Sequence, residues 1–233
     1  MKGMILAAGF GTRLGATDVP KPLVPAAGRP MIFWALDAIR RAGCTEVVVN
    51  THHRAEPLEA YLRGRDHGMR VHILRESEIL GTGGGVLNAA GILDDGGSFL
   101  LHNADIHTTA DLPSVIDAHR ETDALATLLV NRRETRRALL FDQHMHLLGK
   151  EQWKEQGAVF PDDARRFGFC GIHVISSAVF RLGVPLGFSD IFDIYRTALE
   201  GGMTLQGYET DAYWTDLGTE ERIRAFNEWK VGA

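Results

Sequence analysis

The chain has 233 residues, 45% of them hydrophobic and 24% charged, with a formal net charge of -5. That suits one large α/β domain with a sizeable core and an ordinary globular composition. The acidic balance, with no long basic run, argues against nucleic acid as a partner, and no run of about 18 apolar residues offers a membrane span.

In chain order, residues 2–7 are a short apolar run that predicts the first strand of a buried parallel sheet. The run is too short for a secretory leader. A Gly/Pro-rich loop covers 8–29, and Pro30 opens a helix over 31–42 whose Ile32, Leu36 and Ile39 share one face. Strands are expected at 46–50 and 70–74, with a helix at 56–63 between them. A glycine-rich loop at 81–85 leads into a helix at 86–90. A strand at 98–102 ends at Asn103-Ala104-Asp105, followed by a helix at 112–121 and a strand at 124–130. This alternation predicts a Rossmann-like α/β fold: a mostly parallel sheet with flanking helices. The remainder changes style. A hairpin is expected over 137–141 and 145–149, a strand at 167–174, and helices at 191–200 and 220–229, the last capped by Thr219. The chain is expected to be one domain, 1–233, whose second half adds a small lobe.

Cys44 and Cys170 fit neither a disulfide framework nor a zinc spacing, so a reducing, cytoplasmic setting is expected. The ten histidines form near pairs without zinc-type spacing. The sequence says nothing about oligomeric state.

The informative segment is Leu6 to Pro25, LAAGFGTRLGATDVPKPLVP. Gly9 and Gly11 let backbone N–H groups approach an anion. Arg13 adds a planar donor fork and Lys21 a point charge. It is not a P-loop, because Gly-Lys-Ser/Thr is absent, and it lacks the third glycine of a dinucleotide fingerprint. A lone G-x-G would read as a tight turn. The Gly81–Gly85 run, taken alone, is a loop before a helix, or a surface on which a flat base rests. Asp105 ends a strand at the sheet edge where ligands bind, and Asp216 precedes the last helix. Either aspartate alone reads as a turn or cap. Together they suit Mg2+, with phosphates and water completing the shell.

The string G-F-G-T-R-L-G-A-T-D-V-P-K-P-L resembles the signature of the sugar-1-phosphate nucleotidylyltransferases, the family that makes NDP-sugars. Asn103-Ala104-Asp105 and Trp214-Thr215-Asp216-Leu217-Gly218-Thr219 resemble two further motifs of that family. Within it the chain resembles short members of the N-acetylmuramate-1-phosphate uridylyltransferase and mannose-1-phosphate guanylyltransferase-like kind. The resemblance implies an enzyme with a GT-A-like fold that moves a nucleotidyl group from an NTP to a phosphorylated acceptor. By that resemblance Ala8, Gly9, Gly11, Thr12, Arg13 and Lys21 hold the triphosphate. Gly81, Thr82 and Gly83 lie at the base, and Asp105 and Asp216 hold Mg2+. Arg13, Lys21 and Asp105 form the catalytic set. Residues 1–130 mainly serve the NTP and 131–233 the acceptor, with Asn103, Gly171, Thr215 and Lys150 as acceptor residues. Lys154 rivals Lys150. His102 and His107 flank the metal site. Core packing is the alternative for Trp214, Phe167 and Phe169, and for the two phenylalanines it weighs at least as much. UTP or GTP with a sugar 1-phosphate is the leading pair. CTP with phosphocholine or another phosphorylated alcohol is the alternative, and a non-catalytic nucleotide-sugar-binding module is the reading from another class. A glycosyltransferase is disfavoured, because Asp105-Ile106-His107 lacks the second Asp of a D-x-D motif.

Overall fold

A computed structural model describes residues 1–11, 14 and 19–232. The first apolar run is strand β1 (Lys2–Leu6). A two-residue ribbon follows, β2 (Pro25–Ala26) with β3 (Arg29–Pro30), and then helix α1 (Met31–Arg41). α1 buries Ile32, Ala35, Leu36 and Ile39, the three-and-four spacing of a core-facing stripe. The units β4 (Glu46–Thr51), α2 (Ala55–Arg63), β5 (Arg70–Arg75), α3 (Gly81–Asn88) and short α4 (Ala90–Leu93) lead to β6 (Ser98–Asn103). These four longer strands lie parallel in the order β5-β4-β1-β6. The order reverses at β1, and the crevice beyond the strand ends at such a point is where α/β sheets bind ligands.

Beyond β6 come β7 (Ile106–Thr108), α5 (Leu112–Arg120), β8 (Ala126–Asn131) and the hairpin β9 (Ala138–Phe141) and β10 (Leu147–Lys150). The twelve-residue β11 (Arg165–Ser176) then runs antiparallel to β6, β8 and β9. α6 (Ile191–Glu200), β12 (Leu205–Glu209), β13 (Trp214–Asp216) and α7 (Glu220–Gly232) complete the chain. Nine strands share one mostly parallel sheet, with β12 parallel to β8 at one edge. β13 pairs with β7 in a separate two-stranded ribbon.

Neighbouring residues of β1 go to opposite faces: Met4 joins one apolar cluster with Val86 and Ile194, and Ile5 joins another with Ile32 and Leu100. A sheet buried on both faces needs unbroken apolar strands, which is why β1 and β4 were readable. β7, β12 and β13 were not expected, because strands of three to five residues with partly polar sequences carry no periodic signal. The largest correction concerns residues 81–85: they are the first turns of α3, not a loop. A β-carbon on Gly84 would lie 2.0 Å from the Gly187 carbonyl oxygen, and one on Gly83 2.7 Å from that of Asp190. The glycines let α3 seat against the segment that enters α6. Among the described residues no helix is long and apolar enough to cross a membrane.

Candidate active site

At the end of β1 the backbone turns out of the sheet, and a buried polar relay fixes it there. The Ala7 N–H donates to Asn50 Oδ1 at 2.8 Å, and Asn50 Nδ2 donates to Glu76 Oε1 at 2.7 Å. Glu76 Oε2 accepts the Leu80 N–H at 3.1 Å, just before α3. Asn50 and Glu76 are 1% and 4% exposed, so every hydrogen bond of the relay carries weight. A β-carbon on Gly85 would stand 2.9 Å from Asn50 Nδ2. The relay therefore ties the first loop to the α3 turn. Neither Asn50 nor Glu76 was singled out from sequence, because a polar residue at or just past a strand end looks like a turn former.

Between these two loops lies a cavity of about 220 Å3, lined by Ala8, Gly9, Lys21, Asn50, Gly81, Thr82 and Asp105 among others. Gly11 sits at φ +69, and a β-carbon there would meet Lys21 Cβ at 2.7 Å, so the loop closes around the lysine stem. Gly83 does not line this cavity; it is buried and its N–H donates to Ser189 O at 2.9 Å. Thr82 lines the cavity and also accepts the Ile191 N–H at 2.8 Å. Thr12 and Arg13 lie outside the described residues.

A second cavity of about 580 Å3 shares Leu6, Thr82, Asn103 and Asp105 with the first. The two form one cleft across the ends of β1 and β6. Its floor is Gly171, Phe169 and His173 of β11, with Ile191 and Phe192. Gly171 is at φ +74, where the pairing with β8 shifts register, and a β-carbon there would meet Asn103 Nδ2 at 2.8 Å. Glycine is the residue that this bulged, close-packed position accepts. Lys150 also lines this cavity, 5.0 Å above the Phe192 ring, whereas Glu151 pairs with Arg166 at 2.7 Å. Lys154 lines neither cavity. Phe167 is core, and Phe169 faces the cleft.

Asp105 and Asp216 come together through the β7–β13 ribbon. Asp216 pairs with Ile106, and the Leu217 N–H donates to the Asp105 carbonyl at 2.7 Å. Thr215 lines the cavity beside them. Each carboxylate holds a cation: Lys21 Nζ donates to Asp105 Oδ2, and Arg222 Nη1 to Asp216 Oδ2. No group of three or more metal-ligating side chains occurs among the described residues. Two carboxylates facing an open cleft nevertheless suit Mg2+, which takes one or two protein carboxylates plus substrate phosphates and water.

Trp214, beside Asp216, donates from Nε1 to Cys170 O at 2.7 Å and lies 4.0 Å under the Arg133 guanidinium. Arg133 in turn donates to Asn131 Oδ1 and Phe169 O, locking the 131–137 loop over the cleft. That loop, with Arg133, Arg136 and Arg137 on the cavity wall, was not anticipated from sequence. Burial holds both flanking histidines neutral: His102 and His107 are pushed down to about 4. His102 Nδ1 meets Asn103 O at 2.8 Å, and His107 packs 4.8 Å from the Phe226 ring. Burial likewise raises Cys170 to about 12, so it stays an inert thiol.

A glycine-lined loop, a switch-point crevice and two adjoining carboxylates meet in one cleft of an α/β fold. The chain belongs to the nucleotidyl transferase family, whose model matches residues 2–139. It is 30% identical over 227 residues to a mannose-1-phosphate guanylyltransferase of Mycobacterium tuberculosis, covering 94% of this chain and 61% of that protein. It is 41% identical over 130 residues to the bifunctional protein GlmU of Symbiobacterium thermophilum, covering 54% of this chain and 26% of that protein. The chain thus spans less than two thirds of the length of these relatives. Among solved structures, one titled a putative glucose-1-phosphate thymidylyltransferase from Bacillus anthracis shares the fold, with a TM-score of 0.82 at 20% identity over 98% of this chain and 94% of that one.

Proposed function

We propose that the protein transfers a nucleotidyl group from an NTP, UTP or GTP in preference, to a sugar 1-phosphate, giving an NDP-sugar and pyrophosphate. The observation that carries this reading is the pair Asp105 and Asp216, brought together by the β7–β13 ribbon, with Asp105 on the wall common to the two adjoining cavities and Asp216 on the wall of the larger. The smaller cavity suits the nucleotide and the larger the acceptor. A phosphate oxygen of the acceptor attacks the α-phosphorus of the NTP. A new P–O bond forms, the bond to the bridging oxygen breaks, and pyrophosphate leaves with that electron pair. The nucleophile is already an anion, so no general base is needed, and catalysis is positioning and charge neutralisation. Asp105 and Asp216 would hold Mg2+, which when bound neutralises charge on the α-phosphate. Lys21, and by family resemblance Arg13, stabilise the triphosphate. Asn103, Gly171, Thr215 and Lys150 face the acceptor.

The test is pyrophosphate release with product mass. UTP, GTP, CTP and dTTP are each offered with a panel of sugar 1-phosphates and phosphocholine, in the presence of Mg2+. Turnover with one pair, lost in Asp105→Asn, supports the reading. No turnover with any pair, alongside tight binding of a nucleotide sugar, overturns it in favour of a binding module.

A further inference from the structure

Arg222 stands in the first turn of α7, beside Glu220 and Glu221. Acidic residues suit that position because the helix dipole is positive there, and a cation opposes it. A residue that breaks a local rule points to a requirement elsewhere. What Arg222 meets is Asp216: Nη1 donates to Oδ2, while the side chain remains 48% exposed and lines the acceptor cavity. Its backbone N–H is held by Thr219 Oγ1 at 3.4 Å, which anchors the turn and leaves the guanidinium to move. Lys21 does the same for Asp105 from the nucleotide side. Each carboxylate of the pair therefore carries a cation drawn from a different half of the cleft.

Each ion pair engages an Oδ2 for which a divalent cation held between the two aspartates would compete, and Asp216 Oδ1 already accepts the Gly218 N–H at 3.2 Å. The nucleotide cavity offers Lys21 a triphosphate. Arg222 faces the other cavity, where the acceptor brings a phosphate group, and its planar fork matches phosphate oxygens in two-point contacts. Resting on the function proposed above, we infer that Arg222 is exchanged off Asp216 by the divalent cation and grips the phosphate of the acceptor. It is a catalytic residue that, before the metal and substrates bind, holds the metal's place on Asp216. The exchange leaves each half-buried carboxylate paired with a cation before and after loading.

The experiment has two arms on purified full chain. In the first, Mn2+ is titrated without nucleotide into wild type, Arg222→Ala and Arg222→Lys, and free Mn2+ is read by electron paramagnetic resonance. Arg222→Ala is expected to bind Mn2+ severalfold more tightly, because a competitor for Asp216 is gone. In the second, steady-state kinetics on the pair found active should show the KM for the acceptor raised about tenfold or more in Arg222→Ala. The KM for the NTP should be little changed, and Arg222→Lys should partly restore the acceptor KM. Equal or weaker Mn2+ binding by Arg222→Ala, with a urea midpoint matching wild type, overturns the exchange. Equal rises in both KM values overturn the acceptor role. If wild type itself turns over no pair, the proposed function falls and takes the acceptor role with it, while the Mn2+ arm still decides the exchange.

Discussion

Asn50 shows how much a single buried amide does here. It joins the backbone after β1 to Glu76, and through it to the turn before α3. Asn50→Ala strands the Ala7 N–H and one Glu76 oxygen away from water. We expect a loss of about 2–4 kcal/mol in urea unfolding, with a raised KM for the NTP, since both loops of that cavity hang on the relay. A variant as stable as wild type would show that water replaces the amide. Asp105→Asn should leave stability nearly untouched and lower turnover by about a thousandfold, read as pyrophosphate release. The placement of Asp105 and Asp216 on the cleft could be foreseen, because each sits in a motif with a fixed place at a strand end. That of Asn50, Glu76, Arg133 and Arg222 could not. Each is a common surface or turn residue whose meaning comes from a partner 26 or more positions away, or, for Arg222, from a carboxylate whose own role lies in the tertiary fold.

Among the elements, α3 and α7 position the cleft from opposite sides. α3 is glycine-rich and intrinsically a poor helix, so it is helical because the 187–190 segment packs on it. Gly84→Ala places a methyl group against the Gly187 carbonyl. The expected cost is about 1–3 kcal/mol, seen in the urea midpoint, together with a weaker grip on the nucleotide through Gly81 and Thr82. An unchanged midpoint would mean that the segment yields freely. α7 is polar over most of its surface and is held by Phe226, which packs with Leu14, Met31 and Leu217. Phe226→Ala is expected to cost about 3–5 kcal/mol and to loosen Arg222 with it. The long amphipathic elements, α1 above all, could be read from their periodicity. α3 could not, because glycine's local preference points to a loop and only the tertiary contact overrides it. The β7–β13 ribbon escaped for a related reason: it joins two short segments 106 positions apart along its register, at Thr108 and Trp214.

Across the whole molecule, the central strands carry neutral histidines in their core. Burial lowers His102 to about 4 and His173 to about 3, with the Tyr195 hydroxyl 2.6 Å from His173 Nδ1. His107 behaves alike, at about 4. The unfolded chain takes up these protons near pH 6.5, and the folded chain does not until far lower pH. Stability is therefore full above about pH 6.5 and falls as the pH drops toward 4, by roughly 2 kcal/mol for each histidine at pH 5. The carboxylates held low, such as Glu59 and Asp95, lose their contribution only in a more acidic range, so the window from pH 6.5 to 5 belongs to the histidines. Urea midpoints taken from pH 8 to pH 5 should fall steadily below pH 6.5, less so in His173→Gln. A flat wild-type profile contradicts this. The parallel half of the sheet could be foreseen from its apolar runs. The return of β11 between β6 and β8 could not, since strand order across a sheet depends on contacts far apart in sequence.

The reversal of strand direction at β11 also sets where the molecule can change over evolutionary time. In the parallel half, β5, β4, β1 and β6 are joined by helical crossovers packed on the sheet, and extra residues there would have to displace core. In the other half, β9 and β10 meet at an exposed turn around Asp142 and Gln143, and the 131–137 loop runs along the rim of the larger cavity. Insertions at those tips disturb no crossover. A lineage built on this fold is free to lengthen and reshape the wall of the larger cavity while the parallel half stays nearly fixed.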